Sequence, residues 1–157
     1  LLGMQTDDIR ISQALEIAEK RGIAVSFGQA ILREAHPNTA QLILYGGSGQ
    51  RLEIIGQSLG GSRINIAQLD GIETNFAGES PTLVVYNEDR PGHVSEVTTM
   101  LSDQNINIAS MRLYRSSRGG EAVMVVECDQ EVPQSGIDWL RGFDGIRKVT
   151  YLGMTGE

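Results

Sequence analysis

Across residues 82–152 the apolar residues switch between the two-residue period of a strand and the three-to-four-residue period of a helix. The order is strand, helix, strand, strand, helix, strand. Residues 82–86 read as a strand, and Pro91-Gly92 opens a helix whose buried face is Val94, Val97 and Leu101. A second strand covers 106–115, a turn 116–120 and a third strand 121–127. A short helix at 135–143 carries Ile137, Trp139 and Leu140, and residues 146–152 close the series as a strand. Few folds accept that order. It predicts a ferredoxin-like βαββαβ unit, with two helices on one face of a four-stranded antiparallel sheet.

The first half reads differently. Residues 7–21 have helical spacing, with Ile11, Ala14, Leu15 and Ala18 on one face. Thr6, Asp7 and Asp8 offer caps, Lys20 and Arg21 suit the last turn, and Gly22 suits the C-terminal cap. Ile23, Val25 and Phe27 alternate as a short strand would. Four further strands follow, at 39–45, 51–57, 63–69 and 73–77. Their turns are 46–50, Gly60-Gly61-Ser62 and Asp70-Gly71, the last a strong hairpin signal. The class is therefore α+β: an N-terminal helix packed on an antiparallel meander, then the βαββαβ unit. The polar, turn-prone Gly78-Glu79-Ser80-Pro81 places the boundary between domains 1–78 and 79–157. The opening Leu1-Leu2-Gly3-Met4 reads as the end of an element already under way, so upstream sequence is expected.

Charge and composition exclude several classes of function. The net charge is −7, and the 13 basic residues are scattered, so the basic stripe of a nucleic-acid binder is missing. No stretch reaches the roughly 18 consecutive apolar residues of a membrane helix. The single cysteine, Cys128, cannot make an intrachain disulfide, a zinc cage or an iron–sulfur site. A reduced, cytoplasmic setting is expected. Cys128 sits among valines, where a buried thiol packs as a small apolar group; redox sensing is the alternative reading.

Two segments carry candidate chemistry. Asn87-Glu88-Asp89-Arg90-Pro91-Gly92-His93 joins a strand to a helix, and the free N–H groups of that helix's first turn suit a carboxylate. Asn105-Ile106-Asn107 places an amide at the start of the next strand. Asp89 and Asn107 can bind a ligand or simply pin turns. In the first half, His36-Pro37-Asn38-Thr39 precedes a strand, and the Gly60-Gly61 turn with Arg63 could hold a carboxylate or phosphate. By itself that tetrapeptide is a turn as readily as a site.

The string NEDRPGHVSEVTTMLSDQNINIASM resembles the first strand, loop and helix of ACT domains, including their D-R-P-G and N-I-N-I signatures. The resemblance covers about 70 residues. It implies side-by-side pairing of two copies and an amino acid bound at their interface, lined by Asn87, Asp89, Gly92, His93 and Asn107. Asp89 departs from the serine-binding members that carry an amide there; a carboxylate suits an ammonium and repels a carboxylate.

The whole chain, with AEKRGI, HPNT, SLGGSRI and then the ACT string, is similar to the beta chains of bacterial iron–sulfur-dependent L-serine dehydratases. That resemblance implies a subunit of an enzyme converting L-serine to pyruvate and ammonia. It implies an allosteric-substrate-binding-type first domain, and a partner alpha chain holding a 4Fe–4S cluster. This chain would bind no cluster itself, a monovalent cation would remain open as a further cofactor, and His36, Asn38 and Thr39 would face serine or the alpha chain. The competing readings are the regulatory tail of a D-3-phosphoglycerate dehydrogenase and a ligand-free ACT dimerisation module. A self-sufficient enzyme would need a nucleophile or carboxylate beside His36 or His93, and neither has one at local spacing.

Overall fold

A computed structural model describes residues 2–4, 7–32, 35–47, 49–61 and 63–153. They form two compact units, one within residues 1–33 and one within 34–154. Thr6, Ser48 and Ser62, which entered the predicted cap and turns, lie outside the described residues, as does Leu1.

The first unit departs from its predicted helix. A 3-10 turn, Ile9–Gln13, precedes a short helix α1, Ala14–Lys20. Asp8 caps the turn by accepting the Arg10 N–H at 2.9 Å. Of the predicted apolar face only Ala18 is buried, while Ile11 and Leu15 are exposed. The helix ends as expected: Gly22 N–H bonds to Glu19 C=O and Ile23 N–H to Ala18 C=O, a Schellman cap. The strand expected at Ile23, Val25 and Phe27 is not formed, and Phe27 is exposed. Alternation alone makes no strand where no neighbour pairs with it.

The second unit contains two four-stranded antiparallel sheets. The first is the predicted meander β1 (Thr39–Tyr45), β2 (Arg51–Gly60), β3 (Arg63–Leu69) and β4 (Ile72–Phe76), paired in that order. Asp70 and Gly71 both have positive φ, +46° and +84°, which is what a two-residue type I′ hairpin requires. The second sheet follows from β5 (Thr82–Glu88), β6 (Ile108–Arg115), β7 (Glu121–Cys128) and β8 (Ile146–Leu152), in the order β6-β7-β5-β8. Helices α2 (His93–Asp103) and α3 (Gln134–Arg141) cross between these strands. The βαββαβ expectation holds.

Alternation along β5 and β7 divides the core in two. Leu83, Val85, Met124 and Val126 face the helices and pack with Val97, Leu101 and Leu140. Val84, Val123 and Val125 face the other way, against Leu69, Ile72 and Phe76 of the meander. Burying each large side chain contributes about 1.5–3 kcal/mol, so both faces of the second sheet are anchored. One predicted core position is corrected. Val94 is exposed, and His93 takes the inward position with Val97, Met100 and Leu101. Trp139 is 46% exposed and stacks edge-on with Phe143, centroids 4.5 Å apart, at the rim rather than in the core. Cys128 is buried at the end of β7, and burial pushes its thiol up to about 11. That favours packing over reactivity.

Candidate functional site

Strand β5 carries the loop to the N-terminus of α2. Among the described residues no side chain caps that terminus: Gly92 occupies the N-cap position at φ +114°, a conformation closed to side-chain-bearing residues. Its first-turn N–H groups are thus oriented for an anion. Beneath it lies Asn87, 97% buried on the helix side of β5 in line with Leu83 and Val85. Its Nδ2 donates to Glu88 C=O at 2.7 Å, but its Oδ1 has no partner among the described residues. A buried acceptor left unsatisfied costs about 1–3 kcal/mol, so it is a ready seat for a donor.

Asp89 faces another way. It accepts the Gly119 N–H at 2.9 Å and pairs with Arg115 at 3.2 Å, which pins the β6–β7 turn to the loop. The Gly119 amide first, and then Arg115, hold this carboxyl below its ordinary range. The residue is anionic at neutral pH and already engaged.

His93 does not present its ring to solvent; it is 3% exposed. Its Nε2 accepts from Arg90 Nε at 3.2 Å, and its Nδ1 lies 2.7 Å from Glu96 Oε2. Arginine can only donate, so Nδ1 carries the ring proton towards Glu96. Arg90 reaches on to the α3–β8 turn, donating to Asp144 C=O at 2.6 Å and Asp144 Oδ2 at 2.8 Å. Glu88 N–H bonds to Gly145 C=O at 2.9 Å in the same turn. Arg90, Glu96, Asp144 and Gly145 therefore brace the loop. The sequence reading did not single them out, although Arg90 lies within the quoted D-R-P-G string.

Asn107 is at the opposite end of the sheet. It precedes β6, whose first residue pairs Ile108 with Cys128, whereas Glu88 pairs with Glu121 at the other end of β7. Seven strand residues separate these ends, about 20 Å. Asn107 donates to Asp129 at 2.6 Å and holds the start of the β7–α3 loop. Within one chain it does not join Asn87, Asp89, Gly92 and His93.

The first-half candidates do converge. Asn38 C=O accepts the Ser58 N–H at 2.8 Å, so the 36–39 segment lies beside the end of β2 that leads into Gly60 and Gly61. The segment is also a self-closed turn. His36 Nδ1 accepts the Asn38 N–H at 3.2 Å, and the Thr39 hydroxyl donates to His36 C=O. His36, Asn38 and Arg63 are exposed, and Arg63 pairs with no carboxylate among the described residues.

A metal cluster does not fit these residues. The chain has one cysteine, buried in β7. Among the described residues no three His, Cys, Asp or Glu side chains converge as metal ligands. No helix among them is long and apolar enough to cross a membrane.

Comparison with known proteins adds to this geometry. The ACT domain family matches residues 82–140. The chain is 35% identical over 152 residues to the probable L-serine dehydratase beta chain of Bacillus subtilis (strain 168), covering 97% of this chain and 69% of that one. It is 28% identical over 153 residues to the L-serine dehydratase beta chain of Peptoniphilus asaccharolyticus, with the same coverage of 97% and 69%. A D-3-phosphoglycerate dehydrogenase of Methanocaldococcus jannaschii is 31% identical over 105 residues, which are 67% of this chain and 20% of that enzyme.

Proposed function

The chain belongs to the family of L-serine dehydratase beta chains, and on that premise we propose that it is the regulatory subunit of an enzyme converting L-serine to pyruvate and ammonia. In this reading the ACT domain senses an amino acid, L-serine first, and a separate alpha chain carries the 4Fe–4S cluster and the chemistry. This chain alone is inactive, and it works in the cytoplasm. The single cysteine supports that division of labour. The domain boundary falls in the link between β4 and β5, near residue 78. In the first domain His36, Asn38 and Thr39, with Gly60, Gly61 and Arg63 at the same sheet end, form the face offered to substrate or to the alpha chain.

The observation that carries the sensing role is the pairing of an uncapped α2 N-terminus with the orphan Oδ1 of Asn87. A zwitterion meets both needs, its carboxylate on the first-turn N–H groups and its ammonium on Asn87. Asn107 enters from a second copy. Strand β6 is an edge, paired among the described residues only with β7. Leu113, 47% exposed, pairs with Met124 and so lies on the helix side of that edge. Antiparallel pairing of two β6 strands sets the start of one, at Asn107, beside the end of the other, at Arg115, where Asp89 is held. The dehydrogenase reading is weaker, because the match there covers only a fifth of that enzyme.

The test is thermal unfolding of the chain with L-serine and D-serine. A ligand at a hundredfold excess over Kd stabilises by about 2.7 kcal/mol. L-Serine is expected to raise the midpoint where D-serine does not, and Asn107→Ala is expected to abolish the shift while lowering the ligand-free midpoint only by the small loss of its exposed bond to Asp129. No shift with L-serine removes the sensing role. Turnover on adding an iron–sulfur alpha chain, and none without it, checks the catalytic half.

A further inference from the structure

Strand β8 contains a feature that the loop at α2 does not use. Tyr86 pairs with Lys148 and Asn87 with Ile146, so Arg147 is an extra residue opposite the β5 ladder. A bulge of this kind suspends the alternation of a strand and re-aims a side chain. In a regular strand Arg147 and Lys148 would point to opposite faces. Here both line one cleft of about 230 Å³, at the end of the second sheet and beneath the Asp70-Gly71 hairpin tip.

The polar groups of that cleft are arranged by sign. Lys148 Nζ lies 3.1 Å from Asp70 Oδ2 and 4.8 Å from the centre of the Tyr86 ring. Arg147 bridges Glu88 at 3.3 Å and Glu121 at 3.6 Å. Asp70 also accepts the Glu53 N–H at 2.7 Å. Two cationic heads thus stand next to each other, faced by three carboxylates, a net charge of −1 for the set. A dianion entering such a cleft would meet more repulsion than attraction. A cation without a carboxylate would leave Lys148 and Arg147 opposed to it. A species carrying both charges close together satisfies each wall. The volume is below the roughly 300–1,000 Å³ of drug-sized pockets, so the species must be small.

We propose that this cleft is a second small-molecule site, distinct from the α2 loop, and that it takes a small α-amino acid as its zwitterion. The ligand carboxylate lies between Lys148 and Arg147. Its ammonium lies against Asp70 and Glu121, with the Tyr86 ring as the apolar wall. Binding inserts the ligand into the Asp70–Lys148 pair, which joins the meander's hairpin tip to β8, so occupancy is felt in both sheets. The cleft shares Asn87 and Glu88 with the start of that loop, but Arg147, Lys148, Asp70 and Glu121, which would hold the ligand's two charges, lie outside it, so the two readings are tested at separate residues.

The test is amide chemical-shift mapping on the whole 15N-labelled chain, titrated separately with glycine, L-alanine, L-serine and L-threonine. At least one of the four is expected to give saturable shifts at Asp70, Gly71, Ala122 and Lys148. Glycolate, which lacks the ammonium of glycine, should give none. Lys148→Met should remove these shifts and leave any at Gly92 and Val94 untouched. Arg147→Gln, which keeps the Asp70–Lys148 pair, should weaken binding several-fold and serves if the first variant does not fold. Absence of saturable shifts at the cleft with all four amino acids overturns the proposal. So do equal shifts with glycolate, or unchanged titrations in the folded variants.

Discussion

Replacing Gly145 by alanine probes the brace that holds the α2 loop to the α3–β8 turn. Gly145 sits at φ +88°, and an added Cβ would lie 2.5 Å from Arg90 Nη2 and 2.8 Å from His93 Nε2. Three costs follow. The left-handed backbone costs an alanine about 1–2 kcal/mol. His93 is buried and wedged between Arg90 and Glu96, so it cannot retreat, and overpacking there costs about 1–3 kcal/mol. Arg90 can swing away, and the ion pair to the exposed Asp144 that it then loses adds little to the total. The expected total is about 2–5 kcal/mol in urea denaturation, or roughly 4–20 °C in melting temperature for a chain of this size. Arg90→Gln alone should cost less than Gly145→Ala. In its background Gly145→Ala should cost less than in the wild type, because one of the two clashing groups is gone. A loss below about 1 kcal/mol for Gly145→Ala would show that the turn yields freely, and the account of the brace would then be wrong.

Leu101→Ala should cost about 2–5 kcal/mol and Val94→Ala less than about 0.5, since the first is fully buried and the second is 44% exposed; comparable losses in denaturant midpoint would reverse the assignment of the α2 faces. Asp89, held below its unfolded value by the Gly119 amide and Arg115, contributes stability that is present above about pH 4 and lost as pH falls through the folded value. Asp89→Asn should therefore show a shallower acid-side loss of urea midpoint than the wild type, and parallel pH profiles would count against the pinning role. If Asn107 meets Asp89 only across two chains, the apparent affinity for L-serine should fall when the protein is diluted below its dimerisation constant. Affinity independent of protein concentration in calorimetry would place the site within one chain.

Much of the second sheet was legible because its signals are local. Asp70-Gly71 dictates its own hairpin, and β5 and β7 stand out as strands because both of their faces are buried. The first 33 residues were not legible in the same way. Their apolar spacing suits a helix and a strand, yet Ile11, Leu15 and Phe27 find no buried surface, and spacing without a partner does not decide a structure. The rotation of α2 was misjudged for a different reason. At 100° per residue His93 falls between Met100 and Val97 around the axis, while Val94 lies at the margin beyond Leu101. Taking hydrophobicity as the guide places the valine inside. Only the burial of Met100 and the bonds to Arg90 and Glu96 show why a histidine belongs there.

The candidate sites were legible in proportion to how far they depend on strand order. Asn87 through His93 are neighbours in the chain and remain neighbours in space, so the loop could be read as a unit. Asn107 looked equally close by sequence, yet the crossover through α2 returns the chain to the far end of the sheet before β6 begins. What reconnects it is the open edge of β6, a property of strand order that no residue pattern announces. The cleft beside β8 is harder still. Arg147-Lys148 reads as an exposed basic pair at the start of a strand, one residue on each face. Only the bulge against β5 turns both to the same side, and only the meander above supplies Asp70 to face them. A site made of one irregular residue and a contact between two sheets leaves no spacing to find, which is why its chemistry became visible from the register and not from the sequence.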